Sequence, residues 1–377
     1  MDLNSTKVFF ISGSWKTSAN KDRLESLANA LIDRGYHVVI ILDGNPEALP
    51  AGTPSINFVS WPSSRPTKLR DAFFLLKLIH KFKPVCLISQ FGSVNVMTLI
   101  GWLCRVPYRM VRYETLSNQI ESDTDLPPAK FKWFRFRKKI VLRLATNILS
   151  NSMSAAIDAR LIYTIPEEKV HIFYNYLPDP LKSDPTLSNL EPIQGRIVCV
   201  GRFSPTKGQD ILIKALSMLT TQIPISVEFV GKGESLEACK QLAQKLGVSD
   251  RCLFSGSVPH NYVFHKFATA ACSVVPSRNE AFGYVCIESL SVSTPVIGSR
   301  VGGIPEIVRD GVEGFLFDPG DEKDLACKID QFFASNNIHA TLRTNSRQRF
   351  LDSFETSVVA NQQAEWLINH INQRKLD

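Results

Sequence analysis

The feature that most constrains the fold is an alternation of short apolar runs with amphipathic segments, which occurs twice along the chain. In the first series, the apolar run 7–13 is followed by a helical pattern over 21–35 and by a second apolar run over 37–42. Continuous apolar runs of this length are typical of parallel strands that are buried on both faces. The strand–helix–strand order therefore predicts a doubly wound α/β sheet, and the series continues to a strand over 170–175.

The two series are separated by a segment rich in proline. Residues 176–194 hold four prolines and several turn formers, so we predict a linker there. The second series begins with a strand over 196–201, and a last helical pattern covers 358–373. A chain of 377 residues is too long for one ordinary core. We therefore predict two Rossmann-like domains, residues 1–175 and 195–355, facing an interdomain cleft in which ligands bind at the strand ends.

The net charge of +7 is concentrated in the first half of the chain. Residues 1–175 carry 23 Lys+Arg against 14 Asp+Glu, whereas the remainder carries 20 against 22. This imbalance predicts an anionic partner, such as a phosphate, a phospholipid surface or a nucleic acid. No apolar run is long enough to span a bilayer, and the N-terminal sequence lacks the pattern of a signal peptide, so we expect a cytoplasmic protein.

The segment VGRFSPTKGQD, residues 200–210, places two cations on a loop between a strand and a helix. Arg202 and Lys207 follow the strand, and Gly208 permits close approach of the backbone. Fixed cations at such a junction suit a diphosphate, whose negative charge must be neutralised. A solvated basic loop is the alternative interpretation.

The segment NEAFGYVCIESL, residues 279–290, holds two glutamates eight positions apart. If a helix begins near Phe282 and Gly283, its first N–H groups can bind phosphate oxygens. Eight helical residues span about 12 Å, which is roughly the reach from a sugar across a diphosphate to a ribose. Glu280 and Glu288 could then accept hydrogen bonds from hydroxyl groups at the two ends of a nucleotide sugar. Alternatively, they are an N-terminal helix charge and a solvated surface residue, although the apolar neighbours of Glu288 argue against the latter.

Residues 276–321 resemble the C-terminal signature of the retaining family-4 glycosyltransferases of GT-B fold, with that family's E-x7-E motif at Glu280 and Glu288. Residues 200–216 are similar to the family's Arg/Lys diphosphate segment, and residues 150–175 to its domain-end stretch. The resemblance implies transfer of a sugar from a nucleotide donor with retained anomeric configuration, without a metal or cofactor. It also implies that residues 356–377 form a helix that crosses back to the N-terminal domain.

The resemblance assigns a role to each matching residue. Arg202 and Lys207 would stabilise the diphosphate, Glu280 would contact the donor sugar and Glu288 the ribose. Arg202, Lys207 and Glu280 are thus the predicted catalytic residues. The remaining predicted donor contacts are Gly13, Val258, Phe282, Gly283 and Tyr284, with Val258 near the nucleobase.

Two features of the N-terminal domain depart from the family pattern. Ser14 follows Gly13 where relatives have paired glycines, which makes Trp15 and Lys16 candidates for shaping the acceptor side. Many relatives also carry a histidine that contacts the donor sugar, and the corresponding position here falls on Tyr113 or Glu114. Either residue substitutes for the histidine, or the chemistry is weakened.

A basic helix is predicted over residues 129–146, with a cationic stripe beside an aromatic and aliphatic one. It is either a solvated helix that packs on the sheet or a surface that lies on an anionic membrane. A nucleic-acid partner is not expected, because no recognised motif accompanies the charge.

These features predict a hexosyltransferase that moves a sugar from a UDP- or GDP-sugar to a hydroxyl of a saccharide or lipid-linked acceptor. We expect it to act in the synthesis of surface polysaccharides or glycoconjugates, in the cytoplasm or at the inner face of a membrane. An epimerase or a phosphorylase of similar architecture is a less suitable interpretation, because the sequence does not contain the motifs expected of either enzyme. The alternative from another class is a non-catalytic GT-B-like subunit that binds a nucleotide sugar and supports another transferase.

Overall fold

The computed structural model describes residues 7–14, 18–43, 56–122, 127–334 and 336–373. The chain forms two compact units. Unit 1 comprises Met1–Leu177 and Thr356–Asp377, and unit 2 comprises Pro178–Glu355. The division falls between Leu177 and Pro178, so most of the segment 176–194, which we predicted as a linker, belongs to unit 2. Asp179 in this segment is buried and forms a two-pronged ion pair with Arg347, which ties the segment to a later helix of the same unit.

Unit 1 is built on a sheet of seven strands in the order β3-β2-β1-β4-β5-β6-β7, all of them parallel. Its strands are β1 (Val8–Ser14), β2 (His37–Asp43), β3 (Ile56–Ser60), β4 (Cys86–Ser89), β5 (Tyr108–Tyr113), β6 (Asn147–Ser150) and β7 (Val170–Ile172). Its helices up to β7 are α1 (Ser18–Ile32), α2 (Leu69–Phe82), α3 (Val94–Leu103), α4 (Ser117–Ser122), α5 (Pro128–Leu144) and α6 (Met153–Tyr163).

The strands of unit 1 are buried on both faces, which explains their continuous apolar runs. Along β1, Phe9 and Ile11 face one core, whereas Val8 and Phe10 face the other. The alternation arises because successive side chains of a strand point to opposite faces of the sheet. The first core is covered by α1, and the second by α2 and α3.

The last helix of the chain, α15 (Thr356–Gln373), belongs to unit 1. Its buried face packs beside α1 in the core that contains Phe9. The hydroxyl group of Tyr108 donates to the carbonyl oxygen of Ile371 at 3.2 Å. The side-chain amide of Gln363 donates to the carbonyl oxygen of Tyr174 at 2.9 Å. Apolar packing and buried hydrogen bonds thus fix α15 on this face of the sheet.

Unit 2 holds a sheet of six parallel strands in the order β10-β9-β8-β11-β12-β13. Its strands are β8 (Ile193–Val200), β9 (Ser226–Val230), β10 (Cys252–Gly256), β11 (Ala270–Val275), β12 (Val296–Ser299) and β13 (Gly314–Phe317). Its helices are α7 (Pro180–Ser183), α8 (Gln209–Leu216), α9 (Leu236–Lys245), α10 (His260–Ala268), α11 (Tyr284–Ser291), α12 (Ile304–Ile307), α13 (Glu322–Ala334) and α14 (Asn336–Ser353).

The order of strands in unit 2 reverses direction at β8. The chain first adds β9 and β10 on one side of β8 and then continues with β11 on the other side. The loops that follow β8 and β11 therefore leave the same edge of the sheet in opposite directions. Such a switch point opens a crevice at the carboxyl ends of the strands, where ligands bind in doubly wound sheets.

Candidate functional site

The loops at the switch point of unit 2 bring Lys207 and Glu280 together. Lys207 ends a short 3-10 turn that follows β8, and Glu280 lies in the loop that follows β11. The ammonium nitrogen of Lys207 donates to Oε2 of Glu280 at 2.5 Å, although 73 residues separate them. Both side chains are mostly buried yet keep some exposure, at 24% and 14%. This arrangement places one cation and one anion at the edge of the crevice, where a ligand can reach both.

A two-pronged ion pair links the same two loops next to Lys207. Arg278 precedes Glu280 by two residues, and its guanidinium group donates to both carboxylate oxygens of Asp210 on α8, at 2.8 and 2.7 Å. The same group donates to the carbonyl oxygen of Pro205 at 2.9 Å. Arg278 thus holds the loop that carries Glu280 against the turn that carries Lys207. Burial opposes ionisation of Asp210, but the hydrogen bonds and charge of Arg278 outweigh it and lower the pKa of Asp210.

Gly208, between Lys207 and α8, is required by both its backbone conformation and its surroundings. Its φ is +67°, which non-glycine residues rarely adopt. A Cβ atom at this position would also lie 2.0 Å from the carbonyl oxygen of Pro276, at the end of β11. The close approach of the two loops therefore depends on this glycine.

The paired glycines 302 and 303 pack on the backbone of the loop that carries Glu280. A Cβ atom on Gly302 would lie 1.5 Å from the carbonyl oxygen of Glu280, and φ at Gly302 is +53°. The amide of Gly303 donates to the same carbonyl oxygen at 3.3 Å. The loop after β12 thus supports Glu280 from behind, which explains the glycine pair in the sequence.

Glu288 lies inside α11 and is buried, with 8% of its side chain exposed. Its Oε1 lies 2.7 Å from Nε2 of His260, which begins α10 and is about half exposed. A buried carboxylate requires a hydrogen-bond donor, and the imidazole N–H supplies one. The alternative interpretation of Glu288 as a solvated surface residue is therefore wrong.

Val258 lies two residues before His260, in the loop between β10 and α10. The His260–Glu288 contact therefore brings the loop that carries Val258 next to α11. His260 itself was not among the predicted site residues. Its partner lies 28 positions away, so local spacing gave no signal, and only the topology of the sheet brings the two together.

The segment between the two glutamates is a turn followed by a helix. Phe282 is buried and its ring packs edge-on against Phe354, whereas Gly283 is the N-cap of α11 with φ +101°. The helix begins at Tyr284, one residue later than we predicted. Of the residues between the two glutamates, only those from Tyr284 onward are helical, so the assumption of eight helical residues from Glu280 to Glu288 is wrong.

Arg202 follows Gly201 at the end of β8, and its side chain is exposed. Its carbonyl oxygen accepts a hydrogen bond from Nε2 of Gln209 at 3.0 Å, which ties the loop to the first turn of α8. Arg202 and Lys207 thus lie on one short loop whose backbone is fixed at both ends.

Gly13 lies in β1 of unit 1, where it pairs with Leu42 of β2. A side chain at this position would collide with Leu24 and with Gln90, at 2.6 and 2.3 Å from its Cβ. Trp15 and Lys16, the candidates for shaping the acceptor side, lie outside the residues that the structure describes.

Tyr113 ends β5, and its hydroxyl group is held in a cluster of polar side chains. It donates to Asp158, and Ser117 lies 3.1 Å from the same hydroxyl. Burial is the largest cause that raises the pKa of Tyr113, and the nearby Tyr163 and the charge of Asp158 raise it further. The ammonium group of Lys138 lies 4.4 Å from the ring centre of Tyr113, and burial lowers the pKa of Lys138 to about 8.

Glu114 is buried between two guanidinium groups, those of Arg23 and Arg112, at 3.0 and 2.9 Å. Burial alone would raise the pKa of Glu114, but the two positive charges outweigh it and hold that pKa below its ordinary value. The structure therefore gives Tyr113 and Glu114 partners inside unit 1, and their role as substitutes for the family histidine stays a prediction.

In the described ranges of the chain, no group of three or more His, Cys, Asp or Glu side chains is arranged as a metal site. Among the helices described, none combines the length and the apolar character that crossing a bilayer requires.

The arrangement in unit 2 can bind an anion that is joined to a polyol. Lys207 supplies positive charge, and the exposed Arg202 lies on the same loop. The start of α11 adds the partial positive charge of a helix N-terminus. Glu280 and Glu288 are acceptors for hydroxyl groups on either side of that helix start. Charge, donors and acceptors of these kinds are what a nucleotide sugar requires.

Several known proteins are similar to this chain in sequence. An uncharacterized glycosyltransferase of Methanocaldococcus jannaschii is 24% identical over 357 residues, which is 89% of this chain and 90% of that protein. A D-inositol 3-phosphate glycosyltransferase of Acidothermus cellulolyticus is 36% identical over 149 residues, 37% of this chain and 33% of that protein. The chain spans about a third to a half of the length of several other curated relatives that it matches.

Solved structures share the fold over nearly the whole chain. Sucrose-phosphate synthase from Thermosynechococcus elongatus has a TM-score of 0.77 at 19% identity, covering 98% of this chain and all of that one. An Anabaena protein solved in complex with UDP has a TM-score of 0.72 at 20% identity, covering 97% of this chain and all of that one. These likenesses establish that both units have the Rossmann-like architecture of GT-B proteins.

Two family models match successive parts of the chain. The model described as Glycosyltransferase Family 4 matches residues 23–177, within unit 1. The model described as Glycosyl transferases group 1 matches residues 188–349, which include Arg202, Lys207, Glu280 and Glu288. Together the two matches span most of the chain, and the chain belongs to the family-4, group-1 glycosyltransferases of GT-B fold.

Proposed function

We propose that the protein is a retaining, metal-independent hexosyltransferase that uses a UDP- or GDP-sugar. Its acceptor would be a hydroxyl group of a saccharide or of a lipid-linked saccharide. The observation that carries the proposal is the contact of Lys207 with Glu280 at the switch point between β8 and β11. The pair supplies a cation for a leaving diphosphate and an acceptor for sugar hydroxyl groups at one position.

The proposal assigns the remaining donor contacts to the predicted site residues. Lys207 and Arg202 neutralise the diphosphate, and the backbone from Phe282 to Tyr284 lines the phosphates and the sugar. Glu288, held by His260, accepts hydrogen bonds from the ribose, and the loop at Val258 borders the nucleobase. Gly13 of unit 1 is a further proposed contact to the donor phosphates.

In the proposed reaction, the bond between the anomeric carbon and the diphosphate oxygen breaks with both electrons going to the diphosphate. The acceptor oxygen forms the new bond on the same face of the sugar, so the configuration is retained. The proton of the acceptor hydroxyl group passes to a phosphate oxygen of the leaving group. Lys207 and Arg202 stabilise the charge that develops on the diphosphate, because their positive charges are fixed before the reaction begins.

The proposed acceptor is a surface polysaccharide or glycoconjugate precursor, and the proposed location is the cytoplasm or the inner face of a membrane. The support is the outer face of α5, which exposes Trp133, Phe136 and Ile140 among lysine and arginine side chains. A helix of this composition suits an anionic lipid surface.

Nucleotide binding followed by turnover tests the proposal. UDP and GDP should each be titrated calorimetrically into the protein, with ADP as the control. UDP-hexoses and GDP-mannose should then be incubated with the protein, with EDTA present throughout, and release of free nucleotide measured. The proposal expects binding of UDP or GDP, slow donor hydrolysis in EDTA and, once cell extract is added as a source of acceptor, an α-linked product from an α-linked donor. Binding of neither nucleotide, or an inverted product, would contradict it.

The second candidate function is a non-catalytic subunit that binds a nucleotide sugar and supports another transferase. It is favoured by the engagement of Tyr113 with Asp158 and of Glu114 with two arginines, at the place where many relatives carry a histidine. The two functions differ in turnover. Tight donor binding without release of nucleotide, even with cell extract as a source of acceptor, would favour the subunit.

A further inference from the structure

One side of the sheet in unit 1 is covered by four helices that lie side by side in the order α2, α3, α5 and α6. Each of them exposes large apolar side chains at helical spacing. Of nineteen such exposed side chains in the described residues, thirteen lie on these four helices, so they are concentrated on one surface. We define this docking face by its members: Leu69, Phe73, Leu76, Leu99, Trp102, Leu103, Trp133, Phe136, Ile140, Met153, Ile157, Leu161 and Ile162.

These side chains are additional to the ones that attach the helices to the sheet. The buried large apolar side chains are Leu75 and Ile79 in α2, and Val96 and Met97 in α3. A surface helix of a globular protein usually has a single apolar stripe, which faces the core. A second, outward stripe repeated on four adjacent helices indicates a surface that binds a partner.

The charge on the docking face is strongly positive. The four helices carry eleven lysines and arginines but only two acidic residues, Asp71 and Asp158. Lys138 lies against aromatic rings inside unit 1. The exposed cations are Arg70, Lys77, Lys81, Lys130, Lys132, Arg137 and Arg143. Asp71 is buried and accepts a hydrogen bond from the backbone of Lys68, and Asp158 accepts one from Ser117. Both carboxylates are thus used inside unit 1, and the partner meets a cationic surface.

On α5 the cations border the apolar stripe on both sides. With 100° per residue, Trp133, Phe136 and Ile140 lie along one line of the helix. The exposed side chains of Lys132 and Arg143 lie on one side of that line, and those of Lys130 and Arg137 lie on the other. Long cationic side chains in this position can extend to lipid phosphates while the aromatic rings enter the acyl boundary.

The docking face combines apolar side chains with lysines, and this combination indicates which class of partner it binds. The core of a protein–protein interface is depleted of lysine, and a nucleic acid would leave the aliphatic stripes in contact with water. An anionic bilayer satisfies both the apolar stripes and the cations. We propose that the outer face of α2, α3, α5 and α6 docks on an anionic phospholipid bilayer, with all four helices lying along its surface.

This inference deepens the proposed function, because it names the surface at which a lipid-linked acceptor would be met. It extends the proposed contact of α5 to three further helices. The helix α6 borders α5 directly, and Leu161 on its apolar stripe is 74% exposed. Lipid contact at α6 as well as at α5 is a part of the proposal that the basic helix alone does not imply.

Vesicle flotation with the full chain tests the proposal. The vesicles are phosphatidylcholine alone and phosphatidylcholine mixed with phosphatidylglycerol. The first variant combines Trp133→Ala with Phe136→Ala, and the second combines Ile157→Ser with Leu161→Ser. The third combines Lys130→Glu with Lys132→Glu, at the start of α5, where added negative charge does not disfavour the helix. The matched controls are Lys240→Glu with Lys245→Glu on α9, and Leu253→Ala in β10.

The unaltered protein should float with the phosphatidylglycerol vesicles and not with phosphatidylcholine alone. Each apolar pair should weaken binding at least tenfold, and the charge variant more strongly, since each cation near an anionic surface contributes about fivefold. The controls should bind like the unaltered protein. Equal loss in the α9 control would show that net charge alone is responsible and would overturn the proposal, as would the absence of binding.

Two further results would also overturn the proposal, wholly or in part. A dimer in analytical ultracentrifugation that the Trp133 and Phe136 changes dissociate would identify a second copy as the partner. Loss of binding in the α5 variants without loss in the α6 variant would restrict the contact to α5. UDP and GDP titrations of every variant separate this inference from the proposed function. Intact nucleotide binding without vesicle binding defeats only the docking face, and the reverse defeats only the donor assignment.

Discussion

His260 and Glu288 form a contact of 2.7 Å between an imidazole nitrogen and a buried carboxylate oxygen. The contact joins the start of α10 to the middle of α11, so it links the loop at Val258 to the helix that follows Glu280. Because one carboxylate oxygen is held by the imidazole, the orientation of the carboxylate is fixed before any ligand arrives. We infer that His260 is a positioning residue for Glu288.

The ribose selectivity of the site should depend on His260. If Glu288 binds the ribose, UDP should bind about 10- to 100-fold more tightly than 2′,3′-dideoxy-UDP, as expected for a hydrogen bond to a charged group. His260→Ala should reduce this ratio toward that of Glu288→Ala, whereas His260→Gln, which keeps an N–H donor, should preserve most of it. Calorimetric titration measures both affinities. An unchanged ratio in His260→Ala would show that the contact only stabilises unit 2.

Lys207→Ala should reduce the rate of transfer far more than it changes the preference among donor sugars. Removing one fixed group that stabilises developing charge typically costs about 10²–10³ in kcat. Lys207→Arg is the matched control, since it keeps the positive charge.

Glu288→Ala should instead raise mainly the apparent KM for the donor. Steady-state kinetics with a UDP-sugar give both constants, and unaltered values in both variants would remove Lys207 and Glu288 from the site.

Arg278 should support the site through the loop that carries Glu280. The ion pair of Arg278 with Asp210 is partly exposed, so Arg278→Ala should lower the free energy of unfolding by only about 1 kcal/mol or less. Loss of the link between the two loops should nevertheless lower kcat/KM by about tenfold or more, because Lys207 and Glu280 are no longer held in register.

Arg160→Ala is the control for this prediction, since it breaks a single exposed ion pair, with Glu167, on unit 1. Urea unfolding and donor turnover should be measured on both variants. Equal kinetics in the two would mean that Arg278 contributes to stability alone.

The central strands and the two glutamates were predictable from the sequence for the same physical reason. Strands buried on both faces read as continuous apolar runs, and Glu288 stood out because a carboxylate among apolar neighbours requires a partner. The strand β3 was not predicted, because it lies at the edge of its sheet and four of its five residues are only partly buried. The helix α14 was not predicted either, since its polar sequence lacks a clear apolar stripe.

The sequence alone could not predict contacts between residues that are far apart in the chain. The partners of Glu288 and Asp210 lie 28 and 68 positions away, and they meet only because parallel strands bring their loops to one edge of the sheet. The same holds for Tyr113, whose hydroxyl group reaches Asp158 on α6. Residue type could identify Tyr113 and Glu114 as candidates for the role of the family histidine. It could not identify the side chains that they contact inside unit 1.

Glu114 should make the stability of unit 1 depend on pH. Its pKa is lower in the folded protein than in the unfolded chain, because Arg23 and Arg112 favour the carboxylate more than burial disfavours it. Such a group adds stability at pH values above its unfolded pKa, and this contribution is lost as the pH falls through the folded pKa. Glu114→Gln should therefore be destabilised at neutral pH by about 3–5 kcal/mol, since it leaves two buried guanidinium groups without their anion.

The difference between the unaltered protein and Glu114→Gln should shrink as the pH is lowered below the ordinary range of glutamate, because protonated Glu114 resembles glutamine. Urea unfolding across acidic and neutral pH measures this convergence. Glu167→Gln is the control, since its exposed ion pair with Arg160 should produce almost no difference at any pH. A gap between the unaltered protein and Glu114→Gln that stays constant down to strongly acidic pH would show that folding does not shift the pKa of Glu114.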